Sequence, residues 1–215
     1  MKQVKRILCI TILLLIVIVT MISTYATNYA FFAYDDEGVY RALKLENSIS
    51  PYFYYYNTAN IRNGVYTDPN GYTTNYTYLV STALNAWNTS SFSALGSYET
   101  ATIGDTHVNF WEMSLDSYGS AVVGLTRYTC LYQGDTNSPE RDWSYANIYV
   151  DADNLDIYCS TYQIAASVFM HEFGHALGLD EYNTAPYSIM CQLAAGRTAL
   201  SPATTDFTAV QNLYN

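Results

Sequence analysis

The sequence predicts a mixed α/β domain, on three observations. Strand-like tracts rich in tyrosine, valine and isoleucine alternate with stretches of helical periodicity. One stretch, "YQIAASVFMHEFGHALGL" (162–179), reads as a helix and is stopped by Gly178. A second amphipathic stretch, "SPATTDFTAVQNLYN", closes the chain.

The elements follow in order. Lys2, Lys5 and Arg6 open the chain, an apolar run from Ile7 to Ile22 follows, and Thr24-Tyr25-Ala26 ends it with small residues. This order is that of a secretory signal peptide, expected over residues 1–26 with cleavage near Ala26. An uncleaved N-terminal anchor is the rival reading, but the apolar run is short for a span of about 20 residues. Residues 27–50 lack a period and carry Asp35-Asp36-Glu37; they are expected to be a short pro-segment or a leader strand. The domain proper is expected over 51–215.

Within it, "PYFYYYN" (51–57) reads as a strand. After the turn signal "DPNG", Tyr76, Val80, Ala83, Leu84 and Trp87 recur at helical spacing, with Thr74 or Asn75 as the cap and Trp87 as core packing. "HVNFWEM" (107–113), "SAVVGLTRYTC" (120–130) and "YANIYVDAD" (145–153) read as strands. In the closing helix, Thr204 or Thr205 is the expected cap, with Phe207, Val210 and Leu213 on one side.

Charge excludes whole classes of partner. Loss of residues 1–26 removes three positive charges and no acidic residue, so the net charge falls from −10 to −13. Such a surface repels nucleic acid and anionic membrane. No stable membrane association is expected after cleavage, and a monomer is the default. Of the three remaining cysteines, Cys130, Cys159 and Cys191, two are expected to pair in an oxidising compartment. All three pairings are open, with Cys130–Cys159 favoured and Cys191 buried and free.

The chemistry sits in "HEFGHALGLDEYN" (171–183). A helix brings His171 and His175, four residues apart, onto one face. Composition alone would produce HExxH somewhere in this chain roughly once in a thousand such chains. Two core histidines that merely satisfy hydrogen bonds are the bland alternative, and they leave the adjacent Glu172 unexplained. Neutral imidazoles bind Zn²⁺, and a catalytic zinc keeps one position open for water. Glu172 follows the first histidine and is the candidate general base. Function therefore divides between a hydrolase and a binding module on an inactive scaffold, with the intact Glu172 favouring the hydrolase.

"HEFGHALGLD", then Glu181, then "YSIM" nine residues later, resembles the metzincin zinc peptidases, closest to the matrixin branch. The resemblance implies a twisted, mostly parallel sheet with an antiparallel edge strand, a long active-site helix and a C-terminal helix. It implies that Gly178 turns the chain, that Met190 forms a floor under the metal, and that "GLTRY" lines the cleft. It also implies one catalytic Zn²⁺ and a protein or peptide substrate, while secretion is expected from the signal peptide. The family places a third histidine where this chain has Glu181. The metal ligands implied are therefore His171, His175 and Glu181, with Asp180 turned away to bond backbone. Two histidines and a glutamate are a known catalytic zinc set. The thermolysin arrangement of that set is disfavoured, because no glutamate follows Glu181.

Weaker signals complete the reading. His107, in "GDTHVNF", comes before the strand it would have to follow in the family and is a poor ligand. Asp151, Asp153 and Asp156 are a possible Ca²⁺ group, although a solvated strand-end loop explains them more simply. The sequons at Asn75 and Asn88 fall on the first helix, where a structural role is expected. Gln192 to Pro202, small and mostly apolar, is the expected pocket wall.

Overall fold

Every residue of the motif helix from Ala165 to Ala176 is buried. A helix buried all round sits in a core, and here layers of secondary structure enclose it. The computed structural model describes residues 30–34, 40–46, 53–88, 96–102, 106–130 and 133–214. The predicted leader, residues 1–26, lies outside them. Among the described residues no helix is long and apolar enough to cross a membrane.

The strands are β1 (Phe32–Tyr34), β2 (Tyr40–Ala42), β3 (Phe53–Asn60), β4 (Val65–Thr67), β5 (Thr73–Asn75), β6 (Gly96–Glu99), β7 (Val108–Glu112), β8 (Gly124–Cys130), β9 (Gly134–Thr136) and β10 (Trp143–Val150). The helices are α1 (Tyr76–Asn88), α2 (Ala152–Tyr158), α3 (Tyr162–Ala176) and α4 (Thr204–Tyr214). One sheet runs β6-β3-β7-β10-β8-β9. Strands β6, β3, β7 and β10 are parallel, β8 is antiparallel to β10, and β9 pairs antiparallel with the end of β8. This is the mostly parallel sheet with an antiparallel margin that the resemblance implied.

Strand β10 shows how sequence becomes layer. Trp143, Ala146, Ile148 and Val150 are buried, and Asn147 and Tyr149 lie on the other face. On that outer face amides and rings interlock. Asn109 Nδ2 and Trp111 Nε1 both donate to Asn147 Oδ1, and Trp111 stacks on Tyr149. The buried face meets α3, which packs on β8 and β10 and, elsewhere on its circumference, on α1. Two indoles fix the helix: Trp87 Nε1 donates to Met170 O at 3.0 Å and Trp143 Nε1 to Ala176 O at 3.1 Å.

Several expectations need correction. The three thiols do not pair: Cys130, Cys159 and Cys191 are all buried and free. They stand at the end of β8, directly after α2 and next to Met190 in sequence. Burial pushes the Cys159 thiol up to about 12 and raises Cys130 as well, so both are poor thiolates. The acidic "strand-end loop" is helix α2. Asp151 caps it by accepting from Asn154 N at 3.0 Å and accepts from Leu115 N at 2.6 Å. Asp156 accepts from Thr67 N, and the three carboxylates form no cation group, so Ca²⁺ has no support here. Neither Thr204 nor Thr205 caps α4. Asp206 reaches back to Ala203 N at 2.7 Å, as the third residue of a capping box does. Asn75, by contrast, does cap α1, accepting from Tyr78 N at 2.7 Å.

Residues 27–50 contain more structure than their sequence suggests. Their described part forms the β1–β2 hairpin and is tied to the domain. Ala30 bridges Leu179, Leu45 bridges Trp143, and Arg41 pairs with Asp142 at 2.9 Å. Short strands β4, β5, β6 and β9 also escaped the sequence reading, because three or four residues carry too little periodicity.

Inside the motif, Gly174 is a requirement of packing. A Cβ there would lie 2.3 Å from Met190 Sδ and 3.2 Å from Trp87. Gly174→Ala is therefore expected to destabilise the protein by about 1–3 kcal/mol, the usual effect of overpacking. A lowered urea midpoint at unchanged slope is the readout; an unchanged midpoint would show that Met190 has room to retreat.

Candidate metal centre

Helix α3 ends in a Schellman motif, and that ending builds the site. Leu179 N donates to Gly174 O at 3.0 Å and Gly178 N to His175 O at 2.9 Å. Gly178 takes φ +109, and a Cβ would also strike Leu43 O at 2.8 Å. The turn presents Leu179 O to His175 Nδ1 at 2.8 Å. From the following loop, Ile189 O meets His171 Nδ1 at 2.8 Å.

Both rings therefore donate Nδ1–H to a carbonyl, which leaves the lone pair on each Nε2. The two Nε2 atoms face each other at 3.1 Å. Glu181 Oε1 lies 3.6 Å from His171 Nε2 and 3.5 Å from His175 Nε2. Among the described residues, only His171, His175 and Glu181 gather ligand atoms in this way, all within 4.8 Å of one another. His107 is elsewhere, with its carbonyl bonded to Ala146 N ahead of β7. Asp180 turns to its own backbone, Oδ1 accepting from Glu181 N at 2.7 Å.

The donor set fits a borderline-soft divalent cation such as Zn²⁺. Three acceptors converge with no donor between them except a shared proton, and Glu181 Oε2 is buried without a partner. Gln192 Nε2 steadies Oε1 at 2.9 Å.

Without a cation, a proton takes its place. Burial opposes a charged His175, but the bond to Glu181 and the charges of Glu172 and Glu181 outweigh it and raise its pKa to about 9. Burial likewise opposes the Glu181 carboxylate, and the two imidazoles outweigh it, holding the group well below the usual carboxylate range.

Glu172 is held separately. It is 5% exposed. Thr126 Oγ1 lies 2.8 Å from its Oε2 and 2.9 Å from its own carbonyl. A Cβ on Gly124 would lie 2.7 Å from Oε1, so only glycine leaves the carboxylate its place. The motif shows neither Thr126 nor Gly124; the strand "GLTRY" in which they lie was the available signal. Phe31 was missed outright. It lines the same cleft, with its ring centroid 6.0 Å from that of His175 and edge-on to Tyr128.

The floor is Met190, fully buried beneath Gly174. Its turn is pinned from α4: Ser188 Oγ donates to Asp206 Oδ1 at 2.5 Å and Ile189 N to Oδ2 at 3.1 Å. The cleft in front, about 680 Å³, is lined by β8 with Tyr118–Val123 on one side and by α3 and Gln192–Ala194 with Arg197 on the other. The expected wall is thus not simply small and apolar, because the Arg197 side chain lies in it.

The matrixin profile matches residues 64–215. The chain belongs to the matrixin family. Matrixin membership implies a zinc metallopeptidase scaffold and agrees with the donor set above. No curated protein sequence matches the chain. Among solved structures, the GM1 bound form of the ECX AB5 holotoxin contains a similar chain. Its TM-score is 0.58 at 14% identity, over 89% of this chain and 90% of that one. At that identity the likeness concerns the fold alone.

The His175–Glu181 pair gives the metal-free matrixin a defined pH response. The raised His175 pKa contributes stability in full below its unfolded value of 6.5 and loses it as the pH rises through about 9. The depressed Glu181 contributes above its unfolded value of 4.5 and loses its share as the pH falls. Chelated protein should thus lose melting temperature between pH 6.5 and 9, by roughly 2–4 °C per kcal/mol. Glu181→Gln should reduce that slope, leaving the share due to Glu172; an equal slope in both proteins would place the titration elsewhere.

Proposed function

We propose that this chain is a secreted, zinc-dependent endopeptidase in which Glu172 is the general base. The observation that carries the reading is the pairing of a converged ligand set with an intact, separately held Glu172. His171, His175 and Glu181 would hold the ion. Zn²⁺ bound there supplies Lewis-acid polarisation of water and of the scissile carbonyl.

The rest of the mechanism belongs to the chain. Thr126 fixes Oε2 of Glu172, so Oε1 accepts no hydrogen bond among the described residues and is free to take a proton from the attacking water. The same carboxylic acid then returns the proton to the leaving amine. The low exposure of Glu172 and both histidines keeps bulk water from competing with these bonds.

Strand β8 supplies a place for the substrate. Strand β9 pairs only with Tyr128–Cys130, so among the described residues Gly124–Arg127 keep an unpaired outer edge beside Glu172. An extended peptide adds to such an edge by backbone hydrogen bonds. Phe31 and Tyr128 close the cleft with aromatic surface. Secretion rests on the basic, apolar, small-residue order of residues 1–26 and on an acidic mature composition.

Glu172→Gln is expected to keep zinc while lowering turnover of a casein substrate by about 10²–10⁴, the range for general-base catalysis. Metal content and turnover are measured on the same sample. Cleavage at the wild-type rate by zinc-loaded Glu172→Gln protein would remove Glu172 from the mechanism. Absence of zinc-dependent cleavage in the wild type would favour a binding module.

A further inference from the structure

Behind His171 lies a partly buried cation that the reading above does not use. Arg197 follows the short 3₁₀ turn Leu193–Ala195 and points back into the wall of the cleft. Its Nη1 donates to Ile189 O at 3.0 Å, the same carbonyl that accepts from His171 Nδ1. Its Nη2 donates to Ser167 Oγ at 2.9 Å, and Ser167 stands one helical turn before His171. Both acceptors are neutral. The Nε–H is buried with no acceptor, and no carboxylate pairs with the guanidinium among the described residues.

An arginine drawn partly out of water normally meets a carboxylate, because desolvating an unpaired charge is expensive. A purely structural strut would explain the bonds to Ile189 and Ser167. It would not explain the idle Nε–H or a guanidinium that feels Glu172 and Glu181 only at a distance and bonds neither. We propose that Arg197 is a specificity-determining residue. In this account it forms the base of a subsite between α3 and the Leu193–Arg197 segment, and that subsite takes a carboxylate side chain, Asp or Glu, from a residue flanking the scissile bond. The inference rests on the peptidase reading above.

Placement supports the assignment. Arg197 is one shared carbonyl away from a metal ligand, so a side chain reaching it belongs to a residue next to the reacting bond. The neighbouring lining is apolar, from Val168, Leu193 and Ala194, and in such surroundings a charge pair is stronger than in water. Of the acidic groups lining the cleft, Glu181 faces the histidines, Glu172 is held by Thr126 and Asp180 bonds backbone. The negative charge of the whole chain opposes acidic peptides only at long range, and salt screens it beyond about 8 Å.

The test uses C-terminally amidated peptide hydroxamates, so that no chain-end carboxylate competes. Three differ only in the residue next to the hydroxamate: Glu, Gln or Leu. Binding to zinc-loaded full-length protein is read by calorimetry. The Glu compound should bind roughly 10- to 100-fold more tightly than the Gln compound, the range for a charge-assisted hydrogen bond. In Arg197→Met that ratio should fall to about one, and Arg197→Lys should restore part of it. Equal affinities for Glu and Gln in the wild type, or an unchanged ratio in Arg197→Met, would overturn the subsite. If none of the three binds, the zinc-peptidase reading fails and the subsite fails with it.

Discussion

Two hydrogen bonds control this molecule: His171 Nδ1–H to Ile189 O and His175 Nδ1–H to Leu179 O. They fix both tautomers and both ring planes, and so force two lone pairs to face each other 3.1 Å apart. Two acceptors at that distance, with a carboxylate oxygen beside them, repel unless a cation or a proton lies between. The site is thus built with a requirement for positive charge. Without metal, a proton shared with Glu181 meets it.

Much of the fold exists to put those two carbonyls in place. Leu179 O is where it is because Gly178 reverses the chain, and the orphan carbonyls of the helix end are then taken up by Trp143 and by Tyr214, whose hydroxyl donates to Leu177 O. Ile189 O is where it is because Asp206 grips the Met190 turn from α4. Gly174 lets that turn close against the helix. Residues more than twenty positions downstream thereby set the geometry of His171. The guanidinium of Arg197 bonds the same Ile189 carbonyl, which joins the wall of the cleft to His171.

What the sequence disclosed follows from the range of each interaction. The helix-borne residues were legible because four-residue spacing is a local rule, and helices α1, α3 and α4 were found, α1 with its buried face and α4 with Val210 and Leu213 of its own. Glu181 could be named because a single turn links it to the helix. Its neighbour Asp180 differs only in direction, which backbone geometry decides. The contributions of Thr126, Gly124, Phe31 and Arg197 depend on contacts across 30 or more positions, and no period announces them. The cysteines misled for a related reason. Compartment predicts that thiols pair, but pairing also needs a matched geometry, and all three thiols are free. Asp151 misled because a helix cap and a cation ligand use the same residue type.

The central claim is that Glu181, and not its neighbour, completes the metal site. Equilibrium dialysis of zinc against the wild type, Glu181→Ala, Asp180→Ala and Glu181→His tests it most directly. The account predicts severe loss of zinc in Glu181→Ala, retention in Asp180→Ala and restored binding in Glu181→His, where imidazole returns to the same point of the turn. Zinc retained by Glu181→Ala and lost from Asp180→Ala would contradict it.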